Sequence, residues 1–471
     1  MSARNVADGP AAASTGAIAA LHAAFLQTQD TLAALVEVPG ISAKAFPPEE
    51  VRRSAVAVAE TLVDDGVHGV RLLETAGHPC VYGEVRVSPE APTVLIYGHH
   101  DVQPPGRVER WTSPPFQAVV RDGRMFGRGT ADDKGGFLAY VAAARACAGV
   151  DALPCNLKFV IEGEEEIGSP HLPALLAGHR ALFGCDFIVL CDTPNFAAGV
   201  PALTYRLRGN CIVDVEVRCL DRPLHSGQGG GLVPDATMIL CSILARLQRD
   251  DGTLAIPGLE DSVRTDETQL RALRALPFDS DRVRRDFGVI DGVRLGSESW
   301  ETVWTRPSLT ITAIESVPIA QAANQIAGAA RARLSLRTVR DMETEAVGEL
   351  VVRALRSNVP NGAHVNATVV GGPSWWEADP DHAVFRLARR ALSRGFGADA
   401  VMIGSGGSIG FVKPFAELSG DVPPLLTGVQ DPHSNAHSED ESLDLAGWRK
   451  AMVSAVYLFD ELAAFRKGAA A

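Results

Sequence analysis

The chain carries, at residues 93–104, the stretch Thr93-Val94-Leu95-Ile96-Tyr97-Gly98-His99-His100-Asp101-Val102-Gln103-Pro104. Its first five residues form an apolar run that predicts a buried strand. Because alternate residues of a strand point the same way, His99 and Asp101 are expected to share one face at its carboxyl end. Open α/β sheets bind their ligands at that end, and a carboxylate beside a histidine often orients a metal-binding imidazole. The stretch therefore predicts an α/β fold with a metal site at one edge of its sheet.

Strands and helices alternate on both sides of this stretch. Strands are predicted at Leu157–Ile161 and Phe187–Leu190, and helices at Ile18–Val38, Pro47–Asp65 and Lys134–Cys147. Such alternation is typical of an α/β domain whose largely parallel sheet is covered on both faces.

The pattern changes near Leu203. The segments that follow predict strands and helices in the order βαββαβ, which is a ferredoxin-like α+β unit. Asp235 is predicted to be the N-cap of its first helix. No secondary structure is predicted for the polar segment 250–306. A helix from Asp381 and a strand at Pro424–Thr427 then restore the first pattern. We therefore predict a flexible tail over residues 1–16, an α/β domain over 17–205 and 377–471, and an inserted domain over 206–376.

The length, net charge and cysteine content of the chain exclude several classes of function. A chain of 471 residues with a net charge of -13 favours a globular protein that binds neither nucleic acid nor anionic membranes. No segment has the apolar length of a membrane span, and the start of the chain does not resemble a signal peptide. The 8 cysteines form no C-x-x-C pair, which favours buried thiols and a cytoplasmic location.

Further carboxylates and histidines occur where other predicted strands end. They are Asp132 before a helix, the run Glu162-Gly163-Glu164-Glu165-Glu166, Asp192, and the histidines His433 and His437. Each has a structural interpretation: a helix cap for Asp132, a solvated loop for the acidic run, a turn for Asp192 and structural roles for the histidines. Crowded carboxylates resist ionisation unless a cation is present, so the combination favours a metal or catalytic role.

The mixed nitrogen and oxygen ligands favour zinc, manganese or cobalt over calcium or magnesium. They also outnumber what one tetrahedral ion needs. Two ions that share a carboxylate and a bridging water would make a hydrolytic centre, in which a spare carboxylate takes the proton of the water.

These motifs resemble those of the M20 metallopeptidases, in particular the carnosinase-like dipeptidases. The resemblance spans nearly the whole chain, and it is carried by segments 98–104, 127–136, 162–169, Asp192, 224–227, 406–409 and 437–438. It implies a zinc-peptidase-like α/β catalytic domain with an inserted ferredoxin-like domain that serves as lid and dimerisation surface, and hence a homodimer.

The resemblance implies a ligand set for two divalent ions, most readily Zn²⁺, with Mn²⁺ or Co²⁺ as alternatives. His99 and Asp192 would bind one ion, Glu166 and His437 the other, and Asp132 would bridge them and precede a cis peptide. Among the catalytic residues, Asp101 would orient His99 and Glu165 would be the general base.

Other matches concern the substrate. His225 matches a lid histidine that reaches the partner subunit's site and steadies the oxyanion, and Arg337 matches an arginine that binds the substrate carboxylate. Asn324, Gly407 and Ser408 resemble the rest of that pocket. The sequence departs from the family pattern at Gly410, the run 439–441 and His100. None of these departures removes a ligand, and the first two bear on specificity.

The resulting hypothesis is di-metal hydrolysis of dipeptides or short peptides that have a free C-terminal carboxylate. One alternative keeps the site and changes the substrate to N-acyl or N-carbamoyl amino acids. Another is a non-catalytic binding protein on the same fold, which would be expected to lack ligands or the base.

Overall fold

The computed structural model describes residues 9–259, 263 and 266–465. Residues 1–8 of the predicted tail lie outside the described residues, whereas residues 9–16 begin the first helix. The chain divides into two compact units. The first runs to Tyr205 and resumes over Ala378–Ile403 and from Phe411, and the second comprises Arg206–Glu377 and Gly404–Gly410.

The helices and strands follow in chain order. The helices are α1 (Gly9–Ala23), α2 (Phe25–Val36), α3 (Pro48–Asp64), α4 (Lys134–Ala148), α5 (Leu172–Gly178), α6 (Arg180–Phe183), α7 (Ser226–Gly229), α8 (Ala236–Ala245), α9 (Glu267–Arg274), α10 (Ser280–Asp286), α11 (Trp300–Thr305), α12 (Thr344–Arg356), α13 (Ala383–Phe396), α14 (Val412–Ser419) and α15 (Leu445–Ala464). The strands are β1 (His68–Leu73), β2 (Cys80–Val85), β3 (Thr93–His99), β4 (Val119–Arg121), β5 (Arg124–Phe126), β6 (Asn156–Glu162), β7 (Phe187–Leu190), β8 (Ala202–Leu207), β9 (Gly209–Arg218), β10 (Leu224–His225), β11 (Ser308–Glu315), β12 (Gln325–Ile326), β13 (Ala329–Thr338), β14 (His364–Gly371), β15 (Trp376–Glu377), β16 (Val401–Ser405), β17 (Leu425–Leu426) and β18 (Ser442–Asp444).

The main sheet of the first unit has the order β1-β2-β6-β3-β7-β17-β8. Its centre, β6-β3-β7-β17, is parallel, whereas β1, β2 and β8 pair antiparallel with their neighbours. The prediction of a largely parallel sheet is therefore wrong for the outer strands β1, β2 and β8. A short connection joins β1 to β2, and strands joined in that way pair antiparallel. Residues Val94–Tyr97 at the centre are fully buried, as their apolar character predicts.

The predicted helices of the first unit form with shifted ends. The single helix expected at Ile18–Val38 is two helices, α1 and α2, separated by Ala24. The amide of Ala24 still donates to Ala20, and its carbonyl accepts from Thr28, so the break is slight. Helix α4 packs against β3 and α15, with 13 of its 15 residues buried. This burial fixes the segment that precedes α4 at the edge of the sheet.

The second unit is built around an antiparallel sheet of order β14-β9-β13-β11. Helices α8 and α12 pack against this sheet, so the predicted βαββαβ order is confirmed. The Asp235 side chain accepts hydrogen bonds from Thr237 and Met238 at 2.7 and 3.1 Å, which confirms it as the N-cap of α8. The unassigned segment 250–306 contains α9, α10 and α11 within its described residues.

The chain leaves and re-enters the first unit at adjacent positions. Tyr205 is the last residue before the second unit and Ala378 is the first residue after β15. The amide of Ala378 donates to the carbonyl of Tyr205 at 2.9 Å. The second unit is thus an insertion whose two ends meet side by side.

All 8 cysteines lie among the described residues, none of them is in a disulfide, and Cys241 is exposed. Within the described ranges, none of the helices combines the length and the apolar character that a membrane span needs.

Candidate metal centre

The centre lies where the parallel strands β6, β3 and β7 end. These strands are direct neighbours, with His99 opposite Glu162 and Tyr97 opposite Leu190. The residues that follow each strand therefore meet at one edge of the sheet, as expected for parallel strands. His99 ends β3, the acidic run begins at Glu162, the last residue of β6, and Asp192 lies two residues after β7.

Asp132 lies at the middle of this arrangement. Its Oδ1 is 3.1 Å from Nε2 of His99, and its Oδ2 is 3.0 Å from Nε2 of His437. Asp192 Oδ2 is 3.7 Å from the same nitrogen of His99, and Glu166 Oε2 is 3.1 Å from Nε2 of His437. The donors thus form two groups, His99-Asp132-Asp192 and Asp132-Glu166-His437, that share one carboxylate.

The segment before α4 explains how Asp132 is presented. Asp133 occupies the N-cap position of α4 without capping it through its side chain, so the interpretation of Asp132 as a helix cap is wrong. The peptide between Asp132 and Asp133 is cis. Asp133 Oδ2 accepts the amide of His99 at 3.3 Å. A Cβ at Gly136 would lie 1.7 Å from Asp133 Oδ1, so glycine is needed for this close packing.

His437 comes from a loop rather than from a strand end. Its backbone has a φ of 62°, in the left-handed region that residues other than glycine rarely adopt. Asn435 and Asp440 in the same loop have φ values of 52° and 56°. The side chain of His437 is 55% exposed, whereas the side chain of His99 is fully buried. His433, the other histidine of this loop, is exposed and is not in either donor group.

The acidic run after β6 divides into two pairs. Glu162 is buried and accepts hydrogen bonds from the Tyr97 hydroxyl and from Ser169. Glu164 is also buried, where it binds the amide of His78 and the ring of His171. Glu165 and Glu166 begin a short 3₁₀ turn that brings their side chains to the two donor groups. The interpretation as a solvated loop is therefore wrong for most of the run.

Asp101 fixes this turn. Its two carboxylate oxygens accept the backbone amides of Glu165 and Glu166 at 3.2 and 3.1 Å. Its backbone carbonyl is 3.0 Å from Nδ1 of His99, closer than its carboxylate at 3.5 Å. Asp101 thus orients His99 chiefly through its main chain and holds the Glu165-Glu166 pair through its side chain.

Two glutamines that the sequence did not single out support the ligands. Gln103 donates its amide and its side-chain nitrogen to the carboxylate of Glu166 at 3.1 and 2.8 Å. Gln430 donates to Asp192 Oδ1 at 3.2 Å. Gln103 lies within the opening stretch, but a glutamine after a His-Asp pair has no role that spacing alone reveals.

The electrostatics of the centre fit divalent cations. Burial raises the pKa of Glu165, Glu166 and Asp192, and repulsion from neighbouring carboxylates adds to this effect. Hydrogen bonds to Asp132 and Glu166 raise the pKa of His437 to about 10. Without cations these groups must share protons, and metal binding would release those protons. Imidazole nitrogens and carboxylate oxygens at this spacing suit a pair of zinc-like ions.

His100, the neighbour of His99 in the chain, has a structural role in the core. Its Nε2 lies 3.0 Å from the carbonyl of Pro79, its Nδ1 has no partner within the described residues, and the residue is fully buried. Burial lowers the pKa of His100 from 6.5 to about 4. The buried ring is therefore neutral at pH 7.

We expect His100 to make the ion-free protein sensitive to acid. Between pH 6.5 and 4 the unfolded chain binds a proton that the folded chain does not, so stability falls as the pH falls. From pH 7 to pH 5 the protonation of His100 in the unfolded chain lowers the free energy of unfolding by about 2 kcal/mol. In urea unfolding, the His100→Leu variant should lose about 2 kcal/mol less than the parent protein over that interval. Equal losses in the two proteins would contradict the assignment.

The predicted substrate residues lie in the second unit. Arg337 donates to the Ser408 hydroxyl at 2.8 Å. Arg208 donates to the Gly406 carbonyl at 3.2 Å and to the Ser308 hydroxyl at 2.9 Å. Neither arginine has an ion-pair partner among the described residues. Burial, and to a lesser degree the nearby charge of Arg337, lowers the pKa of Arg208 to about 10.

The remaining two residues share a short ladder of the same unit. His225 lies opposite Gln325 where β10 pairs with β12. The carbonyl of Asn324 accepts the amide of Ser226 at 2.8 Å. Both His225 and Asn324 are exposed. The structure thus places Arg337 and Ser408 in contact, with Gly407 between Gly406 and Ser408, and places His225 beside the segment of Asn324.

The sequence matches the peptidase family M20/M25/M40 over residues 95–463. A cysteinylglycine-S-conjugate dipeptidase of Corynebacterium striatum is 33% identical, over 75% of this chain and 78% of that protein. A Beta-Ala-His dipeptidase of Homo sapiens is 32% identical, over 78% of this chain and 74% of that protein.

The fold has matching solved structures. The crystal structure of human carnosine dipeptidase 1 superposes with a TM-score of 0.83 at 28% identity, covering 96% of this chain and 99% of that one.

Proposed function

The chain belongs to the M20/M25/M40 family of peptidases and is a metallopeptidase, and from this premise we propose that it is a di-metal dipeptidase. Its substrates would be dipeptides or short peptides with a free C-terminal carboxylate. The observation that carries the proposal is Asp132, which offers one oxygen to the group of His99 and the other to the group of His437. A carboxylate between two donor groups is the arrangement that a pair of hydrolytic ions requires.

In this proposal His99 and Asp192 hold one ion, Glu166 and His437 hold the other, and Asp132 is shared. The nitrogen and oxygen donors suit Zn²⁺, with Mn²⁺ or Co²⁺ as alternatives. When bound, such ions supply Lewis acidity that lowers the pKa of water and polarises a carbonyl.

Glu165 is the general base of the proposed reaction. Its carboxylate has no hydrogen-bond donor among the described residues, and burial raises its pKa well above the usual value. It would accept a proton from the attacking water as that water adds to the peptide carbonyl. It would then give this proton to the nitrogen of the breaking C–N bond, so that the amine leaves neutral. Asp101 keeps Glu165 in place through its backbone amide.

Arg337 would bind the C-terminal carboxylate of the substrate. A guanidinium can bind both oxygens of a carboxylate at once, and Arg337 makes one hydrogen bond to Ser408 while lacking an acidic partner among the described residues. Arg208, bound to the same loop through Gly406, adds a second positive charge. Two partly buried arginines without a carboxylate suit an anionic substrate group.

We expect the Arg337→Met variant to raise KM for a dipeptide by roughly 10- to 100-fold, because a hydrogen bond to a charged group contributes about 1.5–3 kcal/mol. The C-terminal amide of the same dipeptide lacks the negative charge and should be affected much less. Steady-state kinetics on both substrates provides the measurement.

The matched control is Arg333→Met on the same strand. Arg333 is exposed and bound to Asp214 at 2.6 and 2.7 Å, so its loss should leave both KM values unchanged. An equal effect of Arg337→Met on the carboxylate and on the amide would argue against carboxylate binding.

We also propose that the protein is a homodimer that pairs through the second unit. Strand β11 is an edge of its sheet, and Ile311, Ile314, Val317 and Ile319 in and after it are exposed. An exposed apolar strand edge is a template for pairing with another chain. In such a dimer His225 would serve the catalytic centre of the partner subunit.

If so, His225→Ala should lower kcat on the order of 10²-fold or more, the size expected for loss of one oxyanion contact, while ion content stays unchanged. Kinetics and metal analysis on the same preparation would test this. Full activity of a strictly monomeric protein, shown by sedimentation, would refute the shared site.

The proposed function itself is tested with a substrate panel. Protein stripped of ions and refilled with Zn²⁺ or Mn²⁺ should hydrolyse some dipeptides and stay inactive when left ion-free. N-acetyl and N-carbamoyl amino acids belong in the same panel. Faster cleavage of these compounds than of every dipeptide would favour the amidohydrolase alternative, and failure to bind ions would favour a non-catalytic protein.

We place the protein in the cytoplasm. All 8 of its cysteines lie among the described residues and none is in a disulfide, a state that the reducing environment of that compartment maintains.

A further inference from the structure

A buried ion pair connects the loops of the metal centre. Arg128 Nη1 lies 2.7 Å from Glu441 Oε2, and the two side chains are 1% and 0% exposed. A buried pair repays the cost of leaving water only when its remaining donors and acceptors are also satisfied. The contacts of these two residues are therefore informative about what the pair does.

Glu441 holds the segment that presents Asp132. Its Oε1 accepts the backbone amides of Gly129, Ala131 and Asp132 at 3.1, 3.0 and 3.1 Å. Three amides that converge on one oxygen fix the course of the backbone. The carboxylate of Asp132 is carried by that backbone, so its position depends on Glu441.

Arg128 reaches the other two loops. Its Nη2 donates to the carbonyl of Pro104 and to the carbonyl of Ser438, each at 3.1 Å. Pro104 closes the stretch that contains His99, and Ser438 directly follows His437. One guanidinium thus bonds the loop after β3, the loop of His437 and, through Glu441, the segment of Asp132.

The two donor groups depend on this pair to different degrees. His99 is the last residue of β3 and Asp192 follows β7, so the central sheet fixes both of them. His437 lies on a loop with left-handed residues on either side, and no strand carries it. Its distance to Asp132 is the quantity that Arg128 and Glu441 set most directly.

We propose that Arg128 and Glu441 are positioning residues that set the spacing between Asp132 and His437, and thereby the affinity of the Asp132-Glu166-His437 group for its ion. The inference rests on the proposed function in that it takes this group to be a metal site. When an oxygen at position 441 still holds the backbone of Asp132, loss of the bonds of Arg128 should weaken ion binding at this group and leave the His99-Asp132-Asp192 group nearly unaffected.

The test uses the double variant Arg128→Met with Glu441→Gln. Glutamine keeps an oxygen for the three backbone amides, and methionine leaves no unpaired buried charge, so the change isolates the bonds of Arg128 to Pro104 and Ser438. Ion-free protein is titrated with Zn²⁺ against a chromophoric chelator. The His437→Ala variant identifies which binding step belongs to the His437 group, because it removes a ligand of that group alone.

We expect the double variant to bind the ion of the His437 group about 10- to 100-fold more weakly, the range seen when partners of metal ligands are removed. The binding step that belongs to the His99-Asp132-Asp192 group should keep its affinity. Arg145→Met is the control, because it breaks an ion pair with Asp65 that lies outside both donor groups. That variant should lower the unfolding temperature without changing either step.

Three results would overturn the inference: equal weakening of both steps, weakening of the other step alone, or a lower unfolding temperature with both affinities unchanged. If the double variant does not fold, Arg128→Lys replaces it. Lysine keeps the charge opposite Glu441 but lacks the fork that reaches two carbonyls, so the same single step should weaken. If the parent protein itself binds fewer than two ions, the proposed function fails rather than the positioning role.

Discussion

Replacement of Glu165 with glutamine should lower kcat on a dipeptide by about 10²–10⁴-fold, the contribution typical of a general base. Glutamine has nearly the same shape but cannot accept the proton of the attacking water. Glu165 belongs to neither donor group, so the variant should bind its divalent ions with unchanged stoichiometry. Steady-state kinetics and metal analysis on one preparation provide both readouts.

Glu164→Gln is the matched control for this change. Glu164 precedes Glu165 in the chain, yet its carboxylate binds the His78 amide and the His171 ring instead of facing the ligands. Its replacement should lower stability more than it lowers kcat. The base assignment would be wrong if Glu165→Gln retained full activity, or if Glu164→Gln lost as much activity as Glu165→Gln.

Replacement of Asp132 with asparagine should remove the shared ligand and reduce the bound ions from two per chain to one or fewer. Asparagine offers a single oxygen, whereas the two donor groups use both oxygens of Asp132. A loss of several kcal/mol of charge stabilisation in the transition state corresponds to a decrease in kcat on the order of 10³-fold. Metal analysis after dialysis, together with kinetics, would measure both effects.

Asp192→Asn provides the contrast. Asp192 belongs only to the group of His99, so its replacement should affect one ion and spare the other. If Asp132→Asn retained both ions at the parent affinity, the two donor groups would not share a carboxylate in solution. If the two variants lost the same single ion, Asp132 would serve only one group.

The sequence predicts this site best where regular structure carries it. The apolar runs before His99, the acidic turn and Asp192 identify three strands that prove to be neighbours. Since parallel neighbours end at one edge, the strand pattern alone brings these residues together. The family resemblance was needed to choose His437 over His433, because a loop with left-handed residues has no periodicity that reveals where its side chains point.

The order of residues alone did not divide the roles within the acidic run, and the family resemblance was needed to single out Glu165 and Glu166. Glu162 and Glu164 satisfy buried partners, whereas Glu165 and Glu166 face the centre, and this division follows from a 3₁₀ turn that Asp101 holds by two backbone amides. Nothing in five consecutive residues shows which side chains turn inward. The same holds for Arg128 and Glu441, which lie 313 positions apart in the chain and meet only in the folded structure.

The outer strands of the main sheet and the helices of segment 250–306 were also not predicted from the sequence. The strands β1 and β2 were not predicted from the sequence, and a short connection makes them antiparallel. In segment 250–306, polar residues on the exposed sides of α9 and α10 conceal short helices whose few buried positions, such as Leu270, Leu273 and Val283, are too sparse to establish a helical period.

The adjacent exit and entry of the chain at Tyr205 and Ala378 make residues 206–377 a replaceable insertion, to which the later segment 404–410 adds the rest of the second unit. Because the two backbones already meet at 2.9 Å, a linker of a few residues would close the gap without stretching either strand. Insertions with touching ends are the kind that gene rearrangement can add, exchange or delete without breaking the host fold. Such an exchange would leave the strands that precede His100 and Asp192 in place.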